Sequence, residues 1–291
     1  MGGRERERRG RRAGTVSVVG AVVGAGLAAS GCSGQGAAVQ DDRSGDSVRV
    51  LHRAADRLVA AGSSKARTAM EMASGGTRVT IRGEGVYDFR ERLGRLKVRL
   101  PQDPAGASGH RPITELLTPG ALFMKNRGAG VPDDKWVRVA TATLSDGNLV
   151  TGGATDPFAA AEVLRGTRSA TYVGRTEVAG TEVRHYRGTA DLARAARAAS
   201  DGNRHALAAA AEGFATTDVP FDAYLDDAGR IRKVRHRFSF ANGRSEGTVA
   251  VASTTLLYDF GAAVRVRLPD EDDIYAGKIA EGAGTGVGGK N

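Results

Sequence analysis

The residues able to do chemistry are few and scattered. Cys32 is the only cysteine in 291 residues, so the chain cannot close a disulfide within itself. The five histidines, His52, His110, His185, His205 and His236, show no i, i+4 pairing and have no cysteine near them, so spacing points to no metal site. No G-x-S-x-G stretch is present to raise a nucleophilic serine on a strand-to-helix turn. The terminal GTGVGGKN, Gly284 to Asn291, has the glycine and lysine spacing of a phosphate-binding loop. It carries Asn291 where a magnesium-binding hydroxyl belongs, and no helix follows it. The acidic run Asp270 to Asp273 reads as a surface turn rather than a calcium loop. No catalytic residue, metal or cofactor is expected, and the chain is not read as an enzyme.

Cys32 draws its meaning from its neighbours. The basic opening MGGRERERRGRR precedes an uncharged run from Ala13 to Ala29, rich in glycine and alanine. A bilayer span needs about 20 solidly apolar residues, so this run reads as the apolar part of a secretory signal. Small residues Ala29, Ser30 and Gly31 come directly before Cys32. The arrangement resembles the bacterial lipobox, although Ala29 stands where that signal usually has leucine. The resemblance implies a diacylglyceryl group on the Cys32 thiol, cleavage just before it, and attachment to the outer face of the cell membrane. One acyl chain binds a membrane only marginally, whereas two hold firmly. Residues 1–31 are then a signal peptide, and residues 32–46 a flexible tether.

Charge narrows the partners. The net charge is +9, and about half of it lies in residues 1–31, which hold six arginines and two glutamates. No segment sets bases beside aromatics as a nucleic-acid platform does, so nucleic acid is not expected as a partner. The strands RLKVR and KVRHR are basic on one face. That face reads either as the wet side of a sheet or as a contact for anionic lipid headgroups.

The elements that would position a site begin at Ser47. SVRVLHRAADRLVAAG places Val50 or Leu51, Ala54, Ala55, Leu58 and Val59 on one face, with Ser47 as a possible N-cap and Gly62 as a stop. From Ala66 the period changes from 3.6 to 2. Met70 and Met72, Val79 and Ile81, then Leu96, Val98 and Leu100 alternate with polar or basic residues, with turns at Gly75-Gly76 and later at Asn242-Gly243. ITELLTPGALFMKN and DKWVRVAT add strands. Asp156-Pro157 opens a helix that runs to Gly166, Ala179-Gly180 turns a hairpin, and residues 191–215 are helical with a break near Asp201-Gly202. AAVRVRLPDEDDIY reads as a final strand, and residues 276–291 as a disordered glycine-rich tail. Only 5% of residues are aromatic, so the core rests on aliphatic side chains and either packs loosely or encloses space.

Three stretches, in order, carry a wider resemblance. They are VGRTEVAGTEVRHYRGTADL, AYLDDAGRIRKVRHRF, and YDFGAAVRVRLPDEDDI with Tyr258, Asp259, Phe260 and Gly261. With the lipobox they resemble LppX/LprG-type actinobacterial lipoproteins of the LolA-like superfamily, across Ser47 to Ile274. The resemblance implies an α+β fold over residues 47–275: a strongly curved, unclosed antiparallel β-barrel, or half-barrel, with helices covering its concave face. It also implies an apolar cavity between sheet and helices that binds or carries a lipid or other lipophilic small molecule. Met70, Met72, Val79, Ile81, Leu96, Val98 and Leu100 are the candidate lining. The alternative is a filled core and a non-enzymatic module that binds a membrane sensor or cell-envelope partner.

Overall fold

A computed structural model describes residues 45–74, 77–101, 111–128, 130–241 and 248–276. Cys32, the Gly75-Gly76 and Asn242-Gly243 turns, and the stretch after Ala276 lie outside the described residues.

The chain enters through two short helices, α1 (residues 45–52) and α2 (Ala54–Ala61), separated by a break at Arg53. Leu51, Ala54, Ala55 and Leu58 are buried on the face the 3.6-residue period selects. Gly62 ends α2 at φ 85°, and its N–H closes onto the carbonyls of Leu58 and Val59. Ser47 is not an N-cap. It lies inside α1 and is buried, because the helix begins at least two residues before it.

Eleven strands follow: β1 (Ser63–Ser74), β2 (Thr77–Asp88), β3 (Leu93–Arg99), β4 (Ile113–Thr118), β5 (Ala121–Lys125), β6 (Trp136–Ala140), β7 (Thr167–Val178), β8 (Thr181–Asp191), β9 (Asp218–Leu225), β10 (Ile231–Ala241) and β11 (Thr248–Tyr258). Helix α3 (Pro157–Val163) lies between β6 and β7, and α4 (Leu192–Ala198) and α5 (Asp201–Gly213) lie between β8 and β9. All the strands join one antiparallel sheet in the order β6-β5-β4-β3-β2-β1-β11-β10-β9-β8-β7. The sheet does not close, since β6 and β7 are its two edges. It is an unclosed, curved half-barrel of the α+β class.

Each strand has an inner and an outer face. On β3, Gly94, Leu96 and Val98 are buried, while Arg95, Lys97 and Arg99 are exposed. The edges explain where the helices must go. β6 and β7 are consecutive in sequence but lie at opposite ends of the sheet, so the connection between them has to cross a face. It crosses the inner one, and Leu149, Ala154, Phe158, Ala161, Val163 and Leu164 of that connection are buried in the main core.

The expected final strand is a correction. Residues 262–270 are extended but belong to no ladder, and the only pairing is a single parallel bridge between Trp136 and Ile274. β11 already has β1 and β10 as neighbours, so no free edge lies beside it. The segment instead crosses the outer face. There Val266 and Ile274 pack against Leu116, Ala121, Phe123 and Trp136 in a second, smaller apolar cluster. Lys135 donates to the Asp272 carbonyl at 2.8 Å, and the Tyr275 N–H donates to that of Trp136 at 2.8 Å.

Candidate functional site

The seven candidate lining residues come from β1, β2 and the β3 strand with its exit. The structure brings them to one face. Register sets Met70 opposite Ile81 and Met72 opposite Val79. Arg82 opposite Arg99 places Leu100 beside that row. Met70, Ile81, Leu96 and Val98 are buried, whereas Met72, Val79 and Leu100 are only partly covered. The inner face therefore changes character along the strands, from a filled region to an open end.

The filled region is occupied by the β6–β7 connection. Asp146 folds this segment on itself. Its carboxylate accepts from the N–H groups of Asn148 at 3.0 Å, Val150 at 2.8 Å and Thr151 at 2.5 Å. Asn148 Oδ1 accepts from the Gly152 N–H at 3.0 Å. Gly147 has φ 56°, and a side chain there would meet the Ala206 carbonyl oxygen at 2.0 Å, so only glycine fits against α5. Arg127 donates to the carbonyls of Thr151 and Gly152. Farther on, Asp156 caps α3 by accepting from the N–H groups of Phe158 at 2.7 Å and Ala159 at 3.0 Å, with Pro157 at the first helical position. The Tyr87 hydroxyl donates to the same carboxylate at 3.3 Å. Burial pushes Asp156 up to about 6 against the pull of these bonds. Phe158 then packs on Phe89, which packs on Tyr87.

Glu115 and His236 are buried titratable groups on the inner face of the sheet. Glu115 on β4 is fully buried, and neither carboxyl oxygen has a hydrogen-bond partner. Burial pushes it up to about 8 despite the opposing charge of Arg127, so at neutral pH it is protonated. His236 on β10 is also buried, with Nε2 unpartnered. Burial first, and the Arg237 charge second, push it down to about 3 and keep it neutral. Glu115 and His236 are separated by β3, β2, β1 and β11, so they form no acid–base pair. Sequence reading missed both as inner residues. The signal was present: Glu115 is in phase with Ile113 and Leu117, and His236 with Val234 and Phe238. Thr68 and Thr255 face each other between them, with neither hydroxyl partnered.

The open end is apolar. Met72, Val79 and Leu100 are joined there by Phe240 and Val249, which face each other across β10 and β11. Phe240 lies 4.4 Å, ring to ring, from Phe214, which stacks on Phe238 at 4.9 Å. These five inward-facing side chains are only partly covered. They offer hydrocarbon surface and no donor or acceptor.

The outer face carries charge. Asp222 on β9 is nearly buried. Its carboxylate lies 2.7 Å from Arg237, 2.8 Å from His185 Nε2 and 3.0 Å from Arg187. Burial pushes Asp222 up, but the hydrogen bonds from these three outweigh it and hold the carboxyl at about 2. His185 stacks on Tyr224 with ring centroids 4.3 Å apart. A separate pocket of about 700 Å³ opens between Leu93, Leu116 and Trp136 and the crossing segment at Val264–Arg267. Its rim mixes Asp88 and Glu91 with Arg95 and Lys125. Among the described residues, no group of three or more His, Cys, Asp or Glu could hold a metal ion, and no helix is long and apolar enough to cross a membrane.

No protein-family model and no curated protein matches the chain. Solved structures do. The chain is similar to the lipoprotein LppX of Mycobacterium tuberculosis at 9% identity and a TM-score of 0.41, over 77% of this chain and 99% of LppX. It is similar to LprF of Mycobacterium bovis at 14% identity and a TM-score of 0.38, over 78% and 98% of the two chains. It is also similar to the LolA superfamily protein NE2245 of Nitrosomonas europaea, at 11% identity and a TM-score of 0.32, over 79% and 97%.

Proposed function

We propose that the chain is a secreted, non-enzymatic lipoprotein, held at the extracytoplasmic face of the cell membrane through Cys32, that binds a lipid or other apolar ligand at the open end of the half-barrel. The observation that carries this reading is the apolar end itself. Met72, Val79, Leu100, Phe240 and Val249 face inward, yet their own fold covers them only in part. Burying such surface against an acyl chain contributes about 25 cal/mol per Å². Deeper in, Met70, Ile81, Leu96 and Val98 form the floor against the β6–β7 connection.

Native mass spectrometry of the purified protein tests the ligand. Co-purified acyl species, and uptake of a fluorescent fatty acid that Met72→Asp and Phe240→Asp weaken, are expected. A protein free of lipid that takes up no probe would overturn the reading. The anchor is tested separately. Cys32→Ala is expected to release the protein from the membrane or to leave an unprocessed precursor, and a mature-sized chain still retained on the membrane would overturn it.

A second reading is favoured by the filled region. Leu149, Ala154 and Phe158 of the connection already occupy the floor of the concave face. In this reading the domain is an interaction module that binds an envelope protein. One dominant crosslinked protein together with an empty lipid extract is the outcome that selects it.

A further inference from the structure

The outer face of β1, β2 and β3 holds a shallow groove of about 440 Å³ on the side of the sheet opposite the apolar end's lining. Its walls are Arg67, Arg82, Lys97 and Arg99, all exposed, and its floor includes Leu256 of β11. Glu84 is the one carboxylate among the groove's lining residues. Register sets Glu84 between Arg67 and Lys97, and the Arg99 guanidinium is 3.8 Å from it. Among the described residues, Arg67, Arg82 and Lys97 make no ion pair.

Two features separate this groove from an ordinary wet sheet face. First, Arg82 and Arg99 stand directly opposite each other on β2 and β3. Like charges in facing positions destabilise a sheet, so the fold carries the pair at a cost. Second, several cations elsewhere on the outer face are neutralised, although Arg95, Lys125, Arg138 and Lys233 there make no ion pair among the described residues. Lys65 meets Asp259 at 2.8 Å, Arg235 meets Glu71 at 3.1 Å, and Arg187 and Arg237 share Asp222. Four cations are thus gathered around one carboxylate, on a broad strand surface. No buried donor converges on a single point, so the groove suits a plane of anions better than one small ion.

We propose that this groove is a docking surface for anionic phospholipid headgroups of a membrane, with Arg67, Arg82, Lys97 and Arg99 as its contacts. Each cation brought to such a surface adds attraction within a Debye length, and the attraction fades with salt. The surface is distinct from the apolar end and does not depend on a ligand being held there.

The test is sedimentation of the full chain carrying Cys32→Ala, so that no acyl anchor contributes. The vesicles are phosphatidylcholine alone, or phosphatidylcholine with phosphatidylglycerol at seven to three. The phosphatidylglycerol-dependent part of the binding is compared across variants. Arg82→Gln with Arg99→Gln is expected to lower it about 30-fold, and Lys97→Gln alone about five-fold. Arg187→Gln with Arg235→Gln removes the same formal charge from ion-paired positions and is expected to lower it only a few-fold. Relieving the facing repulsion should leave the Arg82→Gln, Arg99→Gln protein at least as stable as its parent, which thermal melting checks. An unchanged increment in that variant would overturn the proposal and assign the attraction to the arginines of residues 1–31. Equal losses in the two double variants would also overturn it, by reducing the effect to net charge.

Discussion

Thr155 and Ser253 are 98 residues apart in sequence, and their hydroxyls lie 2.5 Å from each other inside the half-barrel. The contact stitches the β6–β7 connection to the middle of the sheet, next to the point where β1 meets β11. Thr155 Oγ1 also donates to the Leu149 carbonyl at 2.8 Å, so one side chain fixes both the shape of the crossing segment and its seat. Thr155→Val removes both bonds and leaves the Ser253 hydroxyl buried and unpaired. An orphaned buried hydroxyl costs about 1–3 kcal/mol. The double variant Thr155→Val, Ser253→Ala should cost less than the sum of the two single variants. Urea denaturation of the four proteins in the cycle measures the coupling, and strict additivity would contradict the contact.

Glu115 makes stability depend on pH in a definite direction. Its carboxyl ionises near 4.5 in the unfolded chain and near 8 in the folded one. The stability it contributes is complete below pH 4.5 and is lost as pH rises through about 8, because only the unfolded chain gains by releasing the proton. Each unit of difference corresponds to about 1.4 kcal/mol. Glu115→Gln should match the parent at pH 4 and exceed it by about 2 kcal/mol at pH 8.5, after allowance for relaxation around the charge. Denaturation midpoints at the two pH values decide it. A difference independent of pH would show that the parent is ionised in the folded state.

Asp222 acts in the opposite sense. Its carboxyl is held at about 2 in the folded chain, below the ordinary 3.8. The stability it contributes is complete above pH 3.8 and is lost as pH falls toward 2. Asp222→Asn removes the charge that Arg237, His185 and Arg187 converge on. Arg187 and Arg237 are 67% and 47% exposed, so water screens much of the effect. A loss of about 1–2 kcal/mol at pH 7, shrinking as the buffer approaches pH 2, is the expected profile in urea titrations.

The strands were legible wherever one face is wet. Arg95, Lys97 and Arg99 alternating with Leu96 and Val98 can hardly be anything but a half-buried strand. Ala179-Gly180, with φ of 50° and 76°, announced its hairpin in the same way, and Asp156-Pro157 announced α3. Pairing across distance was not legible. Val264, Val266 and Leu268 alternate with Arg265 and Arg267 as well as any strand does. Whether such a segment finds a free edge depends on β1 and β6, which local pattern does not report. Glu115 was hidden for a related reason. A single carboxylate among Ile113, Leu116 and Leu117 looks like strand polarity until register turns it inward. The candidate lining was legible as a face. Its division into a covered floor and an open end was not, because the cover comes from the β6–β7 connection.

That connection exists because the first and last strands of the sequence meet in the middle of the sheet. Every other neighbouring pair is consecutive in sequence, so β1–β6 and β7–β11 can each assemble strand by strand, with α4 and α5 inserted between β8 and β9. The seam between Lys65 and Tyr258 has to wait for almost the whole chain. As the chain is synthesised, β1 therefore spends the longest time with one side unpaired, until β11 arrives. Pulse-labelled hydrogen exchange during refolding should protect the β2–β3 amides before those of the seam. The centre of the finished sheet is then the last part to be made, and the interval before it closes is when the chain is most exposed to wrong partners.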